Sequence, residues 1–344
     1  MGNSNVNLQN AKNTKDDEFY TTYETIDEEL AHYTNHFYNK VVFCCCDDPF
    51  ESNFCKYFLR NFNILHLKRL ICTSYVGSKV LATQQRFIAS NNTVLNSSHG
   101  YVLDVKSIGR GNRVLSEKEV LEYLSNSHNI HELKGDGDFR SDECIKYMKV
   151  SDIVVTNPPF SLFKEIVSQI IKCRKGFLLI GNQNALTYKE IFPLIQNNIV
   201  WTGYRFGDMK FRVPQSSEPR KTRFWIDDTG QKWRSLGNAM WLTNLDIERR
   251  HKILTLTKKY NPDEYPKYDL YDAIHVSKVA DIPYDYDGIM GVPITIIDKY
   301  NADQFEIIGE ANHGSDNEYD LFKPTINGKQ TYKRILIKHK MVEG

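Results

Sequence analysis

Asn157-Pro158-Pro159-Phe160 lies between the apolar run Ile153–Val155 and a second apolar series, and sets a side-chain amide, two imino acids and an aromatic ring in a row. A residue followed by proline is pushed out of the right-handed helical region, so Asn157 and Pro158 must both stay extended. Neither proline has an N–H to donate, which leaves the Pro158 carbonyl able to face a ligand. The result is a rigid ledge with one side-chain carbonyl, one main-chain carbonyl and one aromatic face. Such a ledge suits a flat substrate bearing an exocyclic amino group: two acceptors take its two N–H protons while Phe160 stacks on the ring. An amine whose lone pair is delocalised is a poor nucleophile. Acceptors placed where its nitrogen turns tetrahedral favour the transition state over the planar ground state. No strong base is needed, because the proton becomes acidic once nitrogen has attacked an electrophilic carbon. The competing reading is an Asn-Pro-Pro turn that only breaks a strand.

The flanking residues say what positions the ledge. Ile153, Val154 and Val155 read as a buried strand, and Leu162, Phe163, Ile166, Val167, Ile170 and Ile171 mark one stripe of a helix. Ser161 is the expected N-cap, Lys172, Arg174 and Lys175 suit the helix C-terminus, and Gly176 is expected to end it before the strand "FLLIGNQNAL". Earlier, "KVVFCCCDDP" reads as a strand, Phe50, Phe54, Tyr57 and Phe58 as a helix, and "LKRLICTSY" as a second strand. The repeated strand, helix, strand pattern predicts an α/β fold with a doubly wound, mostly parallel sheet, whose ligands sit at the carboxyl ends of the strands. "GYVLDV" reads as a strand, and "SEKEVLEYL" as a helix with Ser116 and Glu119 as a capping box, without a place in the sheet.

Two further motifs lie upstream of the ledge, "CDDP" at the end of the first strand and "GDGDFR" some twenty residues before the ledge. Asp47 and Asp48 in "CDDP" either meet a cofactor's ammonium group or cap a helix start. In "GDGDFR" an Asp followed by an aromatic can accept from the amino group of a cofactor's adenine while the ring packs against it, or the motif is an ordinary turn. The seven cysteines are odd in number, form no paired CxxC motifs, and read as small buried hydrophobes in a reducing compartment, with no metal site.

With 344 residues, 41% hydrophobic and 25% charged, the chain fits a soluble enzyme with a second, smaller unit, and a net charge of +1 excludes a simple polycation. No run approaches the roughly 20 apolar residues of a membrane span, and Met1 to Asp17 lacks a signal pattern. The expected location is the cytoplasm. The expected organisation is a flexible tail over 1–17, a catalytic domain over 18–260 and a β-rich unit over 261–344. Residues 201–237 form a basic, aromatic insertion in which Arg220, Lys221, Arg223, Lys232 and Arg234 are candidate DNA contacts, with Lys333, Arg334 and Lys338 as further ones.

Taken in order, "DEFYT" (17–21), "FCCCDDPFESNF" (43–54), "GDGDF" (135–139) and "DIVVTNPPFSLFKE" (152–165) resemble the adenine-specific DNA methyltransferases that use S-adenosylmethionine. Together with "GVPITIIDKYNADQFEIIG" (291–309), the chain looks like the EcoRI modification methylase-like branch of that family. The resemblance implies that Asn157, Pro158 and Phe160 hold a target adenine flipped out of double-stranded DNA and present its N6 for methylation. It implies that Phe19, Tyr20 and Thr21 line the methionine end of the cofactor, that Asp48, with Asp47 beside it, sits at the first-strand loop, and that Asp138 and Phe139 hold its adenine. Residues 261–344 would be the target-recognition region. A restriction endonuclease reading the same site without a stable complex is the implied partner, and a monomer is expected. The chain departs from the family in lacking the usual Gly-rich loop after the first strand and an acidic ribose partner in "CTSY"; Asp47, Asp104 or Asp136 are the candidates for that carboxylate. The alternatives are methylation of RNA or of a protein amide, or a catalytically inactive DNA-binding relative.

Overall fold

Apolar and β-branched runs form the middle of a ten-stranded sheet in a computed structural model, which describes residues 19–76, 99–109, 111–125, 129–312 and 320–340. The expected tail over 1–17 lies outside the described residues. The strands are β1 (Tyr20–Thr21), β2 (Val41–Cys44), β3 (Arg69–Thr73), β4 (Tyr101–Val105), β5 (Ile130–Glu132), β6 (Ile153–Thr156), β7 (Gly176–Asn182), β8 (Trp201–Arg212), β9 (Phe224–Ile226) and β10 (Lys232–Thr243). Their order is β1-β8-β10-β7-β6-β2-β3-β4-β5, with β9 on β10.

β7, β6, β2 and β3 run parallel to one another. The helix Asn53–Asn61 joins β2 to β3 and the helix Phe163–Lys172 joins β6 to β7, the crossovers that parallel pairing requires. Every residue of β2 and β6 is buried, as expected for strands covered on both faces. The flanks differ from the expected mostly parallel sheet: β4 pairs antiparallel with β3, β5 with β4, and β10 with β7. The sheet is therefore mixed, with a parallel centre of four strands.

The helix after the ledge buries Phe163, Ile166, Val167 and Ile170 on the sheet side. Two expected ends shift. Pro159 first opens a 3-10 turn over Phe160–Leu162, so Leu162 and not Ser161 stands at the N-cap of the helix. At the other end Arg174, at φ 55°, takes the left-handed position, with the Lys175 N–H donating to the Ile170 carbonyl (3.2 Å); Gly176 begins β7 instead, where a Cβ would meet Leu245 at 2.8 Å. The Ser116–Glu119 capping box forms reciprocally: the Ser116 N–H donates to Glu119 Oε2 (2.9 Å) and the Glu119 N–H to Ser116 Oγ (3.3 Å). "GYVLDV" becomes β4, beside β3.

The chain divides into two compact units, 1–183 with 203–245, and 184–202 with 246–344. The second contains a five-stranded sheet ordered β11 (Ala273–His275), β12 (Ile289–Val292), β17 (Arg334–His339), β13 (Phe305–Ala311) and β14 (Asp320–Phe322). Its alternating "GVPITIID" stops being a strand at Pro293, and Ile294–Lys299 winds into a 3-10 turn. A hairpin of β15 (Thr325–Ile326) and β16 (Lys329–Gln330) turns on Asn327 and Gly328, both at positive φ (50° and 72°), as an Asn-Gly turn demands.

In the first unit a buried carboxylate sets the path of β8. Glu29, 1% exposed on the helix Tyr23–Leu30, accepts from the Tyr204 N–H (2.7 Å), the Arg205 N–H (2.8 Å) and the Tyr33 hydroxyl (3.0 Å). Replacing Glu29 by Ala strips those donors of their acceptor, and about 3 kcal/mol of stability should be lost. Urea unfolding monitored by circular dichroism measures it; a midpoint equal to wild type contradicts this role.

Candidate active site

Strand β6 delivers the ledge at the carboxyl end of the parallel centre. Asn157 Nδ2 donates to the Phe19 carbonyl (2.5 Å) and to Thr21 Oγ1 (3.1 Å), and its Oδ1 is buried without a hydrogen-bond partner. The amide orientation follows from chemistry, since a main-chain carbonyl only accepts and must face the NH2 end. The Pro159 carbonyl accepts from the Leu162 N–H (2.9 Å), whereas the Pro158 carbonyl takes no hydrogen bond among the described residues. The ledge thus holds two unused acceptors next to each other in sequence.

The third component is aromatic. Phe160 stacks on Phe19 with centroids 5.3 Å apart and planes inclined by 22°. Phe19 meets Phe211 edge-on at 5.5 Å, and the Arg234 guanidinium lies 5.1 Å from the Phe19 centroid. A third ring between Phe19 and Phe160 would need two contacts of about 3.5 Å each, more than that spacing leaves.

The two carboxylates after β2 have separate partners. Asp47, 5% exposed, accepts from the Thr156 hydroxyl (2.5 Å) and the Ser52 hydroxyl (2.7 Å). Burial, with a smaller push from Asp48, raises its carboxyl to about 7 against the two hydroxyl bonds. Asp48 accepts from the Phe50 N–H (2.9 Å), the Glu51 N–H (3.3 Å) and the Tyr101 hydroxyl. The helix is capped by Ser52, which accepts from the Phe54 N–H (3.1 Å). Asp48 thus caps the turn after β2, and Asp47 is a buried acid tied to β6.

The "GDGDF" loop lies against the end of β3. Gly137 has φ +81° and a Cβ there would stand 1.9 Å from the Ser74 carbonyl oxygen, so no side chain fits. Asp136 is exposed and its carboxylate accepts from the Asp138 N–H (3.0 Å). Asp138 is held below its ordinary range by Arg140, whose Nε and Nη2 donate to it at 2.9 and 2.5 Å. Phe139 is 3% exposed. Asp104, one of the candidate ribose partners, is taken by a two-pronged pair with Arg69 (2.7 Å each).

The ends of β6, β2 and β3, neighbours in the sheet, therefore carry Asn157, Asp47 with Asp48, and the loop of Asp136, Asp138 and Phe139. Phe19 and Thr21 of the first described segment join the ledge directly, and Tyr20 pairs with Arg212 of β8. Thr156, Tyr101, Asn53 and Arg140 were not read from the sequence as site residues. Only Thr156 carried a signal, as the single hydroxyl closing an apolar run.

The basic hairpin is less uniform than its composition. Arg220 and Lys221 are exposed, Arg223 pairs with Asp208 (2.6 Å), and Lys232 Nζ donates to the carbonyls of Gln215 (2.6 Å) and Ser217 (2.8 Å). Trp225 and Trp233 stack across β9 and β10 at 6.2 Å. In the second unit Lys333 donates to Thr187 Oγ1 (2.8 Å) and Arg334 is only 8% exposed.

Among the described residues no group of His, Cys, Asp and Glu could hold a metal ion, and no helix is long and apolar enough to cross a membrane. Comparison with known proteins matches residues 7–340 to the family described as adenine-specific methyltransferase EcoRI. The chain is 47% identical to the Type II methyltransferase M.EcoRI of Escherichia coli, over 99% of this chain and 98% of that one. It is 34% identical to M.MgeORF184P of Mycoplasma genitalium and 33% identical to M.MpnI of Mycoplasma pneumoniae, both Type II methyltransferases, over 96% of this chain and 98% and 97% of theirs. No solved structure matches.

Asp47 gives a pH-dependent prediction. Its carboxyl titrates near 7 in the folded chain against 3.8 when free. Below about pH 4 both states are protonated; between 4 and 7 only the folded state keeps the proton, so stability falls as pH rises, by roughly 4 kcal/mol in total. Without cofactor, Asp47→Asn should melt higher than wild type at pH 8, and the gap should shrink by more than half at pH 5. Thermal melts at the two pH values test this, and an equal gap at both rules out ionisation as its cause.

Proposed function

Because the chain belongs to the EcoRI family of adenine-specific methyltransferases and is a site-specific DNA methyltransferase of the restriction–modification type, we propose that it methylates N6 of an adenine flipped out of double-stranded DNA onto the ledge of Asn157, Pro158 and Phe160. One observation carries this reading: Asn157 Oδ1 is buried with no partner, beside a Pro158 carbonyl that is equally unused. A buried acceptor left unpaired costs free energy, and an amino group with two N–H protons supplies the partners for both oxygens.

The methyl donor of this reading is S-adenosylmethionine, and the residues after β2 fit it. Asp47 is a buried carboxylate whose neighbours are two hydroxyls and a second carboxylate, so a cationic group beside it relieves the cost of its ionisation. Phe19, Tyr20, Asp47 and Asp48 would hold the methionine end, with the Thr21 hydroxyl turned to Asn157 instead, and Asp136, Asp138 and Phe139 the adenosine end. When bound, the cofactor supplies an electrophilic methyl group on a sulphonium.

The chain's own residues do the rest. Phe160 offers the stacking face. Stacking is worth about 1–3 kcal/mol, and with two hydrogen bonds and backbone contacts it offsets the few kcal/mol that flipping costs. The face covered by Phe19 is open to a base only after Phe19 has moved. Asn157 Oδ1 and the Pro158 carbonyl accept the two N6 protons and strengthen their hold as the nitrogen becomes tetrahedral and positive, which lowers the barrier relative to the bound ground state. The proton then shed needs no dedicated base.

On the DNA side, Arg220 and Lys221 are the exposed cations best placed by charge for phosphate contact, with Arg223 beside them; Lys232 shapes the 213–217 turn and Arg234 covers Phe19. The four parallel strands with helical crossovers support a Rossmann-like, doubly wound core with its ligands at the strands' carboxyl ends. The β-rich C-terminal residues are the target-recognition region in this reading. The enzyme acts in the cytoplasm as a monomer, alongside a nuclease that reads the same site without binding it stably.

Expression in a methylation-free host, followed by single-molecule mapping of N6-methyladenine, should reveal one modified motif, absent with Asn157→Ala. No modified motif for the wild type, or the same motif for the variant, refutes the proposal. Arg220→Ala and Lys221→Ala should each lower the slope of log binding constant against log salt by about 0.9. Fluorescence-anisotropy titrations at several salt concentrations measure the slope, and an unchanged value removes that residue from the phosphate contacts.

A further inference from the structure

An asparagine side chain has two ends of similar shape and opposite polarity, and its terminal torsion is soft, so both orientations are open to it unless neighbours choose. On the ledge the choice decides activity. With Oδ1 outward, Asn157 accepts from an amino group; with Nδ2 outward, it sets a donor against a donor. This concerns the reading in which Asn157 receives N6, and rests on it. We propose that Thr21 is a positioning residue: together with the Phe19 carbonyl it consumes both Nδ2 protons of Asn157 and so locks Oδ1 toward the substrate amine.

The geometry carries this step by step. The Phe19 carbonyl stands 2.5 Å from Nδ2 and Thr21 Oγ1 stands 3.1 Å from it. The carbonyl can only accept, which excludes the reversed amide; the hydroxyl takes the second proton and leaves Nδ2 nothing to offer a ligand. Thr21 is itself held from three sides. It is 4% exposed, pairs with Phe211 of β8, and its carbonyl accepts from Asn53 Nδ2 (2.7 Å) at the start of the helix that follows Asp47 and Asp48. The amide is thus set by a strand remote in sequence from the one that bears it. The arrangement also accounts for asparagine at this position: a carboxylate has acceptors at both ends, and one of them would face the Phe19 carbonyl at hydrogen-bonding distance.

Thr21→Val keeps the shape and removes the acceptor, and Thr21→Ser restores it. With purified full-length protein, S-adenosylmethionine and duplex DNA carrying the methylated motif's unmodified form, Thr21→Val should transfer methyl groups about tenfold more slowly in a single turnover, the effect of one modest hydrogen bond. KM for both substrates and the melting temperature should stay at wild-type values, and Thr21→Ser should recover most of the rate. Asn157→Asp should be as inactive as Asn157→Ala. A raised KM for S-adenosylmethionine with an unchanged rate makes Thr21 a cofactor contact and overturns the proposal, as does a wild-type rate for Thr21→Val or substantial activity in Asn157→Asp. Where Thr21→Val does not fold, the Asn157→Asp arm decides. Methylation by Asn157→Ala would instead overturn the role of Asn157, a failure separate from that of Thr21.

Discussion

A carboxamide that gives both of its protons to partners within the protein has only its oxygen left to face a ligand. That constraint, Asn157 Nδ2 between the Phe19 carbonyl and Thr21 Oγ1, organises the rest of the site. It ties a two-residue edge strand to the ledge, so that the pairing of Tyr20 with Arg212 and Thr21 with Phe211 bears on the orientation of Asn157 as well as on the sheet. The prolines do the corresponding work on the main chain, since the Pro158 carbonyl is kept from turning into the helix that begins a few residues later.

A second connection ties the ledge to the loop after β2. Thr156, immediately before Asn157, donates to Asp47, which also accepts from Ser52 beside the helix Asn53–Asn61. That helix in turn holds the Thr21 carbonyl through Asn53. The ledge, the first-strand loop and the edge strand therefore form one closed circuit of hydrogen bonds, in which a shift at any member disturbs the others. The acid at its centre is costly to ionise, because burial raises its carboxyl to about 7.

The basic hairpin shows why composition alone misjudges a surface. Five cations in 220–234 read as one DNA-facing patch, yet Lys232 spends its charge on two carbonyls of its own turn, Arg223 on Asp208, and Arg234 on an aromatic ring at the ledge. Arg220 and Lys221 remain exposed. Formal charge counts residues, whereas a phosphate meets only those whose donors are not already engaged.

Local signals carried much of this protein in the sequence itself. The parallel centre was legible because wholly apolar strands, helical periodicity and crossover spacing are properties of short segments; so was the Ser116–Glu119 cap. The donor and acceptor inventory of the ledge was legible for the same reason, since it needs no partner from afar. Tertiary structure alone decided the antiparallel flanks, the place of β4, the left-handed Arg174 that displaced Gly176 as the helix stop, and the division of labour between Asp47 and Asp48. It also decided which end of the Asn157 amide faces outward, because that orientation is dictated by Phe19 and Thr21, more than 130 residues away in the chain. A sequence specifies what each side chain can donate or accept; only the fold determines which partner claims it first.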